Sequence, residues 1–132
     1  AGRRAFLAVP SLSEPDGATQ SVLGAGRGQQ FYFIGVTEGE LRFGLQDRVR
    51  TTIGSESYDP GQHRYWQLRQ INGEMIGEAS ADGQEWLEIG RTSTSNLDGA
   101  FELRISIGTE ENVPAPGTML ADDLNLGAPL CE

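Results

Sequence analysis

Apolar and polar residues alternate with period two along most of the chain. In residues 40–46, Leu41, Phe43 and Leu45 fall on one side and Glu40, Arg42 and Gln46 on the other. In residues 64–71, Trp66 and Leu68 oppose Tyr65, Gln67 and Arg69. In residues 101–107, Phe101, Leu103, Ile105 and Ile107 oppose Glu102, Arg104 and Ser106. Successive side chains of a strand point to opposite faces, so each apolar set predicts a core face and each polar set an outer face. Residues 30–36 break the rule, with Phe31 and Phe33 on one face and Tyr32, Ile34 and Val36 on the other. Such a strand needs cover on both sides: a loop, a ligand or another chain.

The same reading predicts strands at 5–9, 20–23, 30–36, 40–46, 48–53, 64–71, 74–80, 86–89, 101–107 and 118–126. Turn residues fall between them at 15–17, 24–28, 38–39, 59–61, 72–73, 82–83 and 114–117. Asn72-Gly73 and Asp82-Gly83 suit the positive φ of tight hairpins, so residues 64–89 read as a three-stranded meander. No stretch of ten residues has a helical period. The fold class is all-β, an antiparallel β-sandwich or barrel.

Composition narrows the partners. The 132 residues suffice for one domain. A net charge of −9 removes the general attraction for phosphate backbones, so nucleic acid is not an expected partner. No apolar run approaches the roughly 20 residues of a membrane helix, so no membrane is expected either. All ten basic residues are arginines, which grip carboxylates and sulfates in bidentate fashion. The single histidine, His63, cannot supply a zinc site or a Ser/His/Asp triad and reads as a residue capping a turn. The single cysteine, Cys131, is available for a bond to another chain.

Residues 58–86, YDPGQHRYWQLRQINGEMIGEASADGQEW, resemble a signature of bacterial and phage concanavalin A-like lectin/glucanase modules. There a YDP turn leads to H-R-aromatic-W-x-x-R, a strand, and S-x-D-G-x-x-W. Residues 116–126, PGTMLADDLNL, resemble the last strand of the same modules. The resemblance implies a jelly roll of two antiparallel sheets, with glycans on the concave sheet or its rim loops. It also implies further strands before Arg4. The chain is then expected either to be the C-terminal part of a longer domain or to have the edge near residues 5–9 or 31–36 completed by another chain.

The glucanases of this fold carry an E-x-D-x-x-E strand, and that strand is not present here. Glu38 and Glu40, and Glu85 and Glu88, lack its spacing and read as solvated carboxylates. Hydrolysis is not expected. Asp82 before glycine reads as turn chemistry. Asp122 and Asp123 are candidate oxygen ligands for calcium, set against a simpler role in hydrogen-bonding backbone. Trp66 and Trp86 read as core. Tyr65, beside Gln67 and Arg69, reads either as a sugar-stacking plate or as part of a cross-strand polar ladder.

The sequence is therefore read as a non-enzymatic carbohydrate-binding or adhesion module of a secreted or surface protein. The expected glycan site gathers Tyr32, Arg42, Tyr65, Gln67, Arg69 and Arg104 on the non-core face of one sheet. The second reading is a structural subunit that assembles with copies of itself or another chain through sheet edges into a fibre, tail or larger particle.

Overall fold

The computed structural model describes residues 3–13, 19–94, 102–109 and 118–122. They form ten strands: β1 (Arg3–Ser13), β2 (Thr19–Arg27), β3 (Gln30–Thr37), β4 (Glu40–Asp47), β5 (Val49–Ser57), β6 (Tyr65–Ile71), β7 (Glu74–Ser80), β8 (Leu87–Ser93), β9 (Glu102–Thr109) and β10 (Thr118–Asp122). Two antiparallel sheets of five result, in the orders β10-β1-β6-β7-β8 and β5-β4-β3-β2-β9. They are called the β6 sheet and the β3 sheet after their central strands. The protein is an antiparallel β-sandwich, with no helix among the described residues.

Local chemistry sets the hairpins. Glu38-Gly39 and Asn72-Gly73 both have positive φ at each residue, the conformation that matches the twist of a two-residue hairpin. β6, β7 and β8 are the expected meander. Two turns differ from expectation. β2 runs on through Gly24 and Gly26 to Arg27, and the turn is confined to Gly28-Gln29. A Cβ on Gly26 would lie 2.0 Å from the Gln30 carbonyl oxygen, so glycine there permits close strand approach. Asp82-Gly83 is part of a longer loop, residues 81–86, and not a two-residue turn.

The core lies between the sheets. Leu41, Phe43, Trp66 and Leu68 are buried in it with Leu23, Tyr32, Ile34, Val36 and Met75, and Leu45 packs against them. Phe43 rests on glycine: a Cβ on Gly77 would lie 2.3 Å from its ring, and one on Gly90 2.9 Å. These two glycines are cross-strand partners in β7 and β8, so together they form the hollow that receives the ring. On the same side, a Cβ on Gly54 would lie 2.0 Å from the Ile89 carbonyl oxygen. β5 and β8 thus touch backbone to backbone and close that flank of the sandwich.

Leu103 corrects the expected core. It stands opposite the inward-facing Ala25, yet is 37% exposed. β9 is the last strand in its sheet order and has a described neighbour on one side only, so an inward register does not ensure cover. Phe101 lies outside the described residues. The edge expected at residues 31–36 is corrected as well, since β3 is paired along its length by β2 and β4. In β1, residues 3–8 pair with β6 on one side, and among the described residues β10 pairs with the strand only between Ala8 and Ser13.

Candidate functional site

The turn between β5 and β6 is organised around His63, which is buried. Its Nδ1 accepts the Asp59 N–H at 3.0 Å, which leaves the proton on Nε2, facing Glu56 Oε1 at 2.5 Å. The His63 carbonyl accepts the Trp66 indole N–H at 2.9 Å. Asp59 caps the same turn, its side chain accepting Gly61 N–H at 2.8 Å and its carbonyl accepting the N–H groups of Gln62 and His63. The expected capping role of His63 is observed, and the Asp59 carbonyl holds the Gln62 backbone N–H in the same turn.

The loop 81–86 is held by two side chains. Ser80 Oγ accepts the Gly83 and Asp82 N–H groups at 2.9 and 3.2 Å. Asp82 Oδ1 accepts the N–H groups of Gln84 and Glu85 at 2.9 and 3.0 Å, and the Ser80 hydroxyl donates to it at 3.0 Å. The Glu85 N–H first, then the Gln84 N–H and the Ser80 hydroxyl, hold the Asp82 carboxyl below the usual aspartate range. Asp82 is turn chemistry, as the sequence implies. The loop lies over the outer face of the β6 sheet, with Gly83 against the Tyr65 ring.

Between this loop and the His63 turn lies an open cleft of about 340 Å³. Trp86 and Leu87 form an apolar wall, and Gln62, Ser80, Asp82 and Glu85 bring polar groups to it. Leu87 is exposed and Trp86 half-buried. The core role expected for Trp86 is therefore not observed: it stands at the end of the loop, one residue before β8, and lines the cleft. That Gln62 lines the same cleft is not legible in the sequence, because the cleft lies between two connections more than twenty residues apart.

The expected patch of six residues does not assemble on one sheet. Tyr65, Gln67 and Arg69 are in β6, whereas Tyr32, Arg42 and Arg104 belong to the β3 sheet. Tyr32 points inward, its hydroxyl donating to the Ser93 carbonyl at 3.1 Å, and burial pushes its phenol pKa up. Gln67 Nε2 and Arg69 Nε both donate to Glu78 Oε1 at 2.9 Å. Arg91 bonds Glu88 and Glu74 along the same face. That face is the cross-strand polar ladder, built from this chain's own charges. Arg42 is engaged by Glu40 at 2.9 Å and Glu38 at 3.4 Å.

The outer face of the β3 sheet supplies what the two-faced strand required. Phe31 and Phe33, 5% and 4% exposed, are covered by arginines. The Arg104 guanidinium lies 4.0 Å from the centre of the Phe31 ring and that of Arg50 4.9 Å from the centre of Phe33. Neither ligand nor second chain is needed to cover this face.

Asp122 ends β10 opposite Ala8, and Asp123 and Cys131 lie outside the described residues. Among the described residues, no three His, Cys, Asp or Glu side chains gather as a metal-ion group. Comparison of the chain with family models, with curated proteins and with solved structures gives no match.

Proposed function

We propose that this chain is a non-catalytic carbohydrate-binding or adhesion module, of concanavalin A-like jelly-roll type, working outside the cell or on its surface. The observation that carries the reading is the Trp86 cleft. A half-buried indole beside an amide and two carboxylates offers a sugar both an apolar face to stack on and acceptors for its hydroxyls. The site thereby moves from the Tyr65-Gln67-Arg69 face to the rim at its end, with Tyr65 supporting the loop. Asp82 Oδ1 already accepts the N–H groups of Gln84 and Glu85 and the Ser80 hydroxyl, so this carboxylate is engaged in holding the wall of the cleft. A glycan array is expected to show binding by the parent that Trp86→Ala and Gln62→Ala abolish or weaken about tenfold or more. Binding that is unchanged in Trp86→Ala, or absent from the parent, would overturn the reading.

A structural subunit that assembles through sheet edges is the second reading, and one strand favours it. Pairing is irregular where β5, β8 and β10 meet their neighbours, which blunts those borders. β9 pairs with β2 through eight residues without a break and carries the exposed Leu103. Sedimentation velocity over a range of concentrations separates the two readings: a constant small species supports the binding module, and growth that Leu103→Glu prevents supports assembly.

A further inference from the structure

The rim cleft has a sign of charge as well as a shape. Two of its lining residues ionise, Asp82 and Glu85, and among the described residues no arginine or histidine lines it. Asp82 Oδ1 accepts three hydrogen bonds, all from neutral donors, which hold the carboxyl ionised without cancelling its charge. Glu85 is fixed through its backbone, whose N–H donates to Asp82 Oδ1 at 3.0 Å, while its side chain is exposed. No ion pair engages the Glu85 carboxylate among the described residues. The ladder on the neighbouring sheet face is different, since there Glu78 meets Arg69 and Glu88 meets Arg91. Cations are thus matched to carboxylates along the ladder and are missing from the described lining of the cleft.

We propose that Glu85 and Asp82 make the cleft selective for aminated sugars, taking a glycan with an unacetylated amino group ahead of a neutral one and refusing uronates and sulfate esters. The inference rests on the reading of this cleft as the sugar site. A protonated amine brings a positive charge and three N–H donors to carboxylates that have only acceptors to offer. A neutral sugar brings hydroxyl donors without the charge. An anionic sugar adds a third negative group to a space that already holds two, and it has no described cation to meet there. The rest of the molecule does not reverse the sign, because its net charge is −9. At physiological ionic strength charges more than about 8 Å apart are largely screened, so the groups lining the cleft outweigh distant ones. The exposed Leu87 and the amide of Gln62 meet the uncharged part of the sugar in each case.

The test is isothermal titration of the whole chain with glucosamine, glucose and glucuronate oligomers of one linkage and one length, at mildly acidic pH where the amine is charged. The glucosamine oligomer is expected to bind about fivefold tighter than the glucose oligomer, the scale of one exposed charge pair, and the glucuronate oligomer about fivefold weaker or not at all. Glu85→Gln should narrow both gaps and leave the glucose oligomer unchanged, and added salt should narrow them in the parent. Glu102→Gln, an exposed position in β9 outside the cleft lining, removes the same charge from the total and should leave the ranking as it is. Circular dichroism confirms that each variant is folded. Should Glu85→Gln not fold, the side-chain carboxyl shifts of Asp82 and Glu85 in the parent take its place, and both are expected to move when the glucosamine oligomer is added. A glucose oligomer that binds as tightly as the glucosamine oligomer, and is lost in Trp86→Ala, would overturn the charge selection and leave the cleft reading standing. No binding of any oligomer would overturn both. A ranking that survives Glu85→Gln, one that Glu102→Gln alters equally, or carboxyl shifts that do not move would each overturn the proposal.

Discussion

Trp66 is the residue on which the two halves of the molecule depend. Its ring is fully buried between the sheets, and its N–H ties β6 to the carbonyl of His63 in the preceding turn. Replacing it with alanine leaves both a cavity and an unpaired carbonyl. Trp66→Ala is expected to cost about 3–5 kcal/mol in a denaturant titration, a large fraction of an ordinary domain's stability. Asp82 acts on a smaller scale and through pH. Its carboxyl is held below the aspartate range, so the stabilisation is complete above about pH 3.9 and is lost as the pH falls through the lowered folded value. The melting temperature of Asp82→Asn is expected to lie below that of the parent at pH 6, and the gap to narrow as the pH falls below about 3.9. A gap that widens toward acid would contradict the role given to this carboxylate.

At the level of elements, the strands and turns could be read because their determinants are local. Alternation in 40–46 fixes the inward set of β4, and Asn72-Gly73 fixes a turn that few other pairs can adopt. The site could not be read in the same way. Glu78 accepts from Gln67 and pairs with Arg69 from the neighbouring strand, and only the register of β6 with β7 shows that Gln67 and Glu78 stand opposite one another. In β3 both faces are apolar, so the sequence had no means of choosing which one meets the core. The cover for the other face comes from Arg50 and Arg104, on the two edges of the sheet. Packing between the sheets is equally non-local, and Gly77 tests it. Alanine there places a methyl 2.3 Å from the Phe43 ring, with Gly90 and Gly54 closing the space behind. A cost of at least about 1–3 kcal/mol is expected in thermal or chemical denaturation, whereas alanine at Gly24, where the nearest atom would be 3.6 Å away, should cost less.

On the scale of the whole molecule, the β6 sheet and the β3 sheet bury one core and turn two different outer faces to the solvent. The outer face of the β6 sheet is a ladder of matched charges, closed at one end by the loop 81–86 and the His63 turn, and the cleft lies where those two connections meet. The β3 sheet presents arginines stacked on phenylalanines. The sandwich thus separates the rim cleft beside Trp86, where the sugar site is proposed, from the arginine-covered face of the β3 sheet. The location of the rim site is the central claim. Amide chemical-shift mapping, with the best glycan from an array titrated into the isotopically labelled chain, tests it most directly. Perturbations centred on Gln62, residues 79–87 and the Trp86 indole N–H, saturating together, are the expected result; shifts confined to the ladder of Gln67, Arg69 and Glu78, or none near Trp86, would contradict it.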